Sequence, residues 1–145
     1  MSDCSLFALL RAAGSVESYV ETKLAPCGLS LAKLAALAQL ARANGSLPLG
    51  QLADRLACVK SNVTQLVDRL EVDGLVTRTL DAADRRSRLA ILTEAGWKAY
   101  DVGFQIHQEA ERRIFGTLSG EDVATLANIL LKLQQFCVPA PAPGR

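Results

Sequence analysis

Apolar residues recur every three or four positions along most of this chain, the spacing that lines one face of a helix. From Ser5 to about Ala25 the recurring set is Leu6, Leu9, Leu10, Ala13, Val16, Val20 and Leu24, and Pro26-Cys27-Gly28 ends it. Ser30 is placed to cap a second helix over Leu31–Ala43. Its Leu31, Leu34, Leu37, Ala38, Leu40 and Ala41 wrap most of the circumference, which predicts a central, buried helix. Asn44-Gly45-Ser46 stops it. Pro48 suits the first turn of a short helix through Ala57, and another helix runs from about Ser61 to Asp73, where Gly74 stops it. Beyond Gly74 the pattern turns strand-like. Residues 75–80 and 88–93 read as two strands, joined by the polar run Asp81-Ala82-Ala83-Asp84-Arg85-Arg86 into a hairpin with a long, charged tip. Thr93 caps a long helix from Glu94 to about Phe115. Ser119 caps a last one to about Cys137, with Glu121 and Asp122 at its positive end. Residues 138–145 are a Pro/Ala tail with little to pack.

Composition agrees with a mainly helical chain. Among 145 residues, 24 are Leu and 22 Ala, both strong helix formers. The length is that of a single domain, expected to span residues 1–137. No stretch approaches the 18 or more apolar residues of a membrane span. Met1-Ser2-Asp3-Cys4-Ser5 lacks the basic start of a secretory signal, so a cytoplasmic protein is expected. The formal net charge is +1, from 16 Lys and Arg against 15 Asp and Glu. That balance disfavours an indiscriminate polybasic nucleic-acid binder but says nothing about where charges sit. Residues 25–98 carry 10 basic against 7 acidic side chains, while the flanks carry 6 against 8. The middle of the chain is therefore modestly basic.

That middle carries the chemistry. Residues 49–68 fit a helix-turn-helix template, with Leu52, Leu56, Cys58, Val63 and Leu66 as apolar anchors and Ala53 where the helices cross. Ala57 takes the turn position, where Gly is commoner. The polar side chains left at the start of the second helix are Lys60, Ser61, Asn62, Thr64 and Gln65, with Arg69 one turn later. Such groups read base edges or clamp phosphates. The bland alternative is any pair of amphipathic helices. A hairpin directly after a candidate recognition helix is the layout of a winged helix, and a tip arginine, Arg85 or Arg86, suits the minor groove. Asp84 would position the wing, and Asp68 would pair with Arg78 or Arg86.

At this point the sequence resembles a family. The strings Gln65-Leu66-Val67-Asp68-Arg69-Leu70-Glu71-Val72-Asp73-Gly74-Leu75-Val76-Thr77-Arg78, Asp81-Ala82-Ala83-Asp84-Arg85-Arg86-Ser87 and Leu92-Thr93-Glu94-Ala95-Gly96 are similar to those of the MarR family of bacterial transcriptional regulators. The order of elements matches over about residues 5–137. The resemblance implies a mainly α fold with a small β-hairpin wing: a winged helix-turn-helix lobe over about residues 30–93, and dimerisation helices over 5–25 and 94–137. It implies a homodimer on a pseudo-palindromic, double-stranded DNA operator, usually as a repressor relieved by a small aromatic ligand or by oxidation. Two-fold pairing would double the contacts of a single recognition helix. The competing class is a helical interaction protein on the same scaffold without specific DNA binding.

An inducer needs a pocket between the dimer helices and the DNA-reading lobe. Ser15, Tyr19, Trp97 and Tyr100 are candidate linings, with Leu37, Leu40 and Ala41 of the second helix; plain core packing is the alternative for the aromatic residues. A thiol sensor using Cys4 or Cys58 is a further alternative. Cys58 occupies an apolar anchor, where oxidation to a polar sulfenic acid would disturb the lobe. Cys4 lies near the position of the reactive thiol in the family's peroxide-sensing subgroup, although Leu6 aligns with it and Leu29-Ser30-Leu31-Ala32-Lys33 lacks the tyrosines that orient it. One His, His107, and four dispersed Cys make a poor metal set. No nucleophile–His pairing is visible, so neither a cofactor nor enzymatic activity is expected.

Overall fold

The computed structural model describes residues 5–56 and 62–138. Helix α1 (Leu6–Leu24) begins where the Ser5 hydroxyl accepts from the Ala8 amide, and a single 3-10 turn, Ala25–Cys27, follows it. Ser30 caps α2 (Leu31–Arg42) in the same way, accepting from Lys33. Strand β1 (Ser46–Pro48) leads into α3 (Leu49–Arg55), and α4 spans Val63–Val72. Strands β2 (Val76–Leu80) and β3 (Arg88–Leu92) form the hairpin. Thr93 then opens α5 (Glu94–Phe115), and Ser119 caps α6 (Gly120–Cys137) by accepting from the Asp122 amide.

The three strands pair antiparallel in the order β1-β3-β2, with Ser46 opposite Ile91 and Val76 opposite Leu92. Strand β1 is not predicted by the sequence. Three residues ending in proline carry no local strand signal, and β1 exists because the outer edge of β3 presents backbone groups for it to satisfy. Pro48 closes this edge strand, a position that tolerates a residue without an N–H. The short helix accordingly begins at Leu49, one residue after Pro48.

The chain divides into two compact units, with the boundary between Ala110 and Glu111 inside α5. The first unit has its core around α2, which touches α1, α3, α4, β1 and β3. Leu34, Ala36, Leu37 and Leu40 are buried, joined by Leu24, Leu52, Leu56, Leu66, Val67, Leu70, Val76 and Ala90. The predicted central position of the second helix and the anchors Leu52, Leu56 and Leu66 appear here as expected. Cys58, the remaining fully apolar anchor of the template beside half-buried Val63, lies outside the described residues. Helix α1 buries only Val20 and Leu24, leaving Leu6, Phe7, Leu9, Leu10 and Val16 exposed. Considered by itself, α6 buries none of its residues and exposes Ile129, Leu130, Leu131, Leu133 and Phe136. No single helix among the described residues is long and apolar enough to cross a membrane.

Candidate nucleic-acid interface

Helix α4 is amphipathic because Leu66, Val67 and Leu70 fall on one face and enter the core. The opposite face leaves Thr64, Gln65 and Arg69 in solvent. Asn62 caps the helix: its Oδ1 accepts from the amides of Thr64 at 3.0 Å and Gln65 at 3.4 Å. That cap occupies the side-chain oxygen, so of the bidentate donor–acceptor pair expected from this residue only the NH2 group stays available. Lys60 and Ser61, also expected to face DNA, lie outside the described residues, as do Cys4 and Cys58.

The C-terminal end of α4 is closed by Gly74 at φ +74, where the Leu75 amide reaches back to the Leu70 carbonyl. A residue with a Cβ adopts that left-handed backbone at a cost, and the reversal aims β2 back along α4. Arg78, on β2, then meets the helix. Its Nη2 lies 2.7 Å from Asp68 Oδ1 and 3.1 Å from Glu71 Oε1, and its Nε donates to Glu71 Oε2 at 3.3 Å. Asp68 therefore pairs with Arg78, one of the two partners expected from sequence. Glu71 was not anticipated as a partner. It sits three residues after Asp68, on the same helical face, and that spacing was the available signal. The hydrogen bonds from Arg78 hold the Glu71 carboxyl below its ordinary range, and Glu71 in turn raises Arg78.

The hairpin tip is built by two aspartates. Asp81 Oδ1 accepts from the Ala83 amide at 2.9 Å, and Asp84 Oδ1 accepts from the Arg86 amide at 3.0 Å. These local turns compete with the strand ladder and fold the tip back on itself. The Asp81 amide also donates to the Ser87 carbonyl, closing the loop. Asp84 thus holds the tip backbone, leaving the side chains of Arg85 and Arg86 exposed and in no ion pair among the described residues. Two free guanidinium groups at the end of a ribbon form a mobile, concentrated positive charge suited to phosphate or a narrow minor groove.

A second feature of the same unit is a cavity of about 240 Å³ between α2 and α5. Leu31, Leu34, Ala35, Ala38, Gln39 and Arg42 line it from α2, and Phe104 and His107 from α5. The candidates expected to line a pocket do not border this one. Ser15 is exposed on α1; Tyr19 lies under the Lys23 ammonium, 5.4 Å from the ring centroid. Tyr100 packs against Phe104 with ring centroids 5.7 Å apart, and Trp97 covers Gly45. The reason is the rotation of α2. Its Leu37 and Leu40 face is filled by core, and the face one third of a turn away meets α5 loosely. Among the described residues no group of three His, Cys, Asp or Glu side chains is placed to hold a metal ion.

Helix α4, the β2–β3 ribbon after it and the three-stranded sheet define a winged helix-turn-helix protein. A MarR family model matches residues 28–87, and the HTH-type transcriptional repressor MdtR of Bacillus subtilis is 32% identical over 108 residues, 74% of this chain and 69% of that one. The chain belongs to the MarR family of transcriptional regulators. It is also similar to the HTH-type regulator YkoM of Bacillus subtilis, 35% identical over 97 residues, which are 67% of this chain and 63% of that one. The chain thus spans under two thirds of YkoM's length. Among solved structures, CouR of Rhodococcus jostii RHA1 bound to p-coumaroyl-CoA superimposes with a TM-score of 0.77 at 30% identity, covering 98% of this chain and 97% of that one. These relatives are transcriptional regulators, not enzymes.

Proposed function

We propose that this protein is a sequence-specific DNA-binding transcriptional regulator that acts in the cytoplasm as a repressor and as a homodimer on a pseudo-palindromic operator. Thr64 and Gln65, with Lys60 and Ser61 before them, face the major groove; Asn62 contributes through its NH2 group, and Arg69 reaches a phosphate. Arg85 and Arg86 enter or flank the minor groove. The single observation that carries this reading is the hairpin tip, where Asp81 and Asp84 hold the backbone and leave two guanidinium groups unpaired. The repressor assignment is supported by the name of the 32%-identical MdtR.

Residues 30–93 form the DNA-reading lobe, and 5–25 and 94–137 the dimerisation helices. The exposed apolar side chains of α1 and, separately, of α6 support that division, since such contiguous surfaces mark interaction sites. A small aromatic ligand releases the operator. The ring-bearing acyl group in the CouR structure's title supports a ligand of that kind.

The test is a selection of bound sequences from random duplex DNA, followed by affinity measurement across salt concentrations. An enriched inverted repeat is expected. If the dimer contacts about 8 phosphates, log K falls with log salt at a slope near −7. No enriched sequence and no salt dependence would overturn the reading in favour of a helical interaction protein.

A further inference from the structure

The cavity between α2 and α5 is chemically lopsided. Leu31, Leu34, Ala35, Ala38 and Phe104 supply an apolar body with one aromatic ring. Gln39, Arg42 and His107 supply the polar end. All three are hydrogen-bond donors, and no acidic side chain lines the space. The Arg42 and His107 side chains make no ion pair or hydrogen bond among the described residues. Arg42 thus differs from Lys33 and Arg78, which are paired with Asp73 and with Asp68 and Glu71. A guanidinium beside an apolar pocket, with no carboxylate to answer it, is arranged for an anion that comes with its own hydrophobic body.

Size narrows the class. At about 240 Å³ the cavity falls below the roughly 300–1,000 Å³ of drug-sized ligand pockets. Its walls are held close by Gly103 on α5. A Cβ there would lie 2.8 Å from Leu29 Cδ1 and from Leu34 Cδ1, so the two helices approach more tightly than any side-chain-bearing residue permits. The space suits one ring and a short acid arm, with no room inside for a nucleotide.

We infer that this cavity binds a free single-ring aromatic monocarboxylate, its ring against Phe104 and Leu34 and its carboxylate on Arg42, His107 and Gln39, in preference to the corresponding coenzyme A thioester. The inference rests on the ligand-responsive regulator proposed above and names the ligand class for it. It separates this chain from CouR, whose structure holds p-coumaroyl-CoA. A thioester has lost the carboxylate that Arg42 answers.

The test is calorimetric titration of the full chain, without DNA, using p-coumarate, the isosteric neutral p-coumaramide, and p-coumaroyl-CoA. The free acid is expected to bind at least tenfold more tightly than the amide and the thioester. In Arg42→Gln the acid and amide are expected to bind alike, a change in charge preference that mere loss of packing does not produce. Ala38→Phe, which fills the cavity, should abolish binding of all three with the circular dichroism spectrum unchanged. Equal affinity for acid and amide in the unmodified protein, tighter binding of the thioester, or no binding of the acid overturns the inference. Those outcomes leave the DNA reading untouched, because the sequence selection is performed on ligand-free protein.

Discussion

Arg78 and Glu71 are joined by two parallel hydrogen bonds, at 3.1 and 3.3 Å, that tie the first strand of the wing to the helix before it. Asp68 adds a third contact to the same guanidinium. The wing's base is therefore oriented by the helix whose outer face carries Thr64, Gln65 and Arg69, and a change at either end is transmitted to the other. A fork of this kind depends on planar guanidinium geometry, which lysine does not reproduce. Arg78→Lys is expected to weaken DNA binding although the charge is kept.

The same pair gives a pH dependence. Arg78's hydrogen bonds lower the Glu71 pKa in the folded protein from its ordinary 4.5. A carboxyl depressed by folding stabilises above its unfolded value, and that contribution is lost as pH falls through the folded one. Urea midpoints of the unmodified protein are expected to fall below about pH 4.5 more steeply than those of Glu71→Gln. Parallel profiles would show that the pair contributes nothing to stability, as many exposed pairs do not.

Arg86→Ala should weaken operator binding by about 1–3 kcal/mol, the range for a direct base or groove contact. Its amide, not its side chain, makes the bond to Asp84, so thermal stability is expected to stay the same. Asp84→Ala should also weaken binding, by loosening the tip. Band-shift titrations beside melting curves check both, and an unchanged affinity for Arg86→Ala would remove that residue from the contact surface.

Asn62 carries two roles that mutation separates. Asn62→Ala removes the α4 cap and is expected to cost about 0.5–2 kcal/mol of stability, whereas Asn62→Ser keeps a capping oxygen and most of that stability. Chemical denaturation measures this without DNA. A melt indifferent to Asn62→Ala would mean the cap does not matter.

Gly96 marks the closest packing between α5 and the wing. A Cβ there would sit 2.1 Å from the Leu75 carbonyl oxygen and 3.0 Å from Leu92 Cδ2. Because one obstacle is backbone, the strand or the helix must move. Gly96→Ala is expected to destabilise by about 1–3 kcal/mol, as overpacked sites do. Ala95→Gly, one residue away on the exposed side, serves as the control for helix propensity.

Much of the fold was legible in the chain because its signals are local. Ser5, Ser30, Thr93 and Ser119 each cap the helix that their position predicted, by accepting an amide three residues on. The recurrence of Leu66 and Leu70 fixes which side of α4 faces solvent, and so which side chains are candidates for DNA. The Asp81 and Asp84 turns are likewise short-range chemistry. The cavity was not legible in the same way. Leu31, Leu34, Ala35, Ala38 and Arg42 do share a helical face, yet nothing along α2 distinguishes a face that will be packed from one that will be left open.

Periodicity, caps and turn residues, acting within a few positions, determined by themselves the helices, the hairpin and the exposed polar face of α4. Only tertiary structure decided the rest: that Ser46–Pro48 becomes a strand against β3, that Glu71 joins Asp68 on Arg78, and that Arg42 shares a cavity with His107. Each of these depends on surfaces contributed by separate parts of the chain. Whether a buried face is filled or open is a property of the pair that meets there, and neither partner's sequence states it alone.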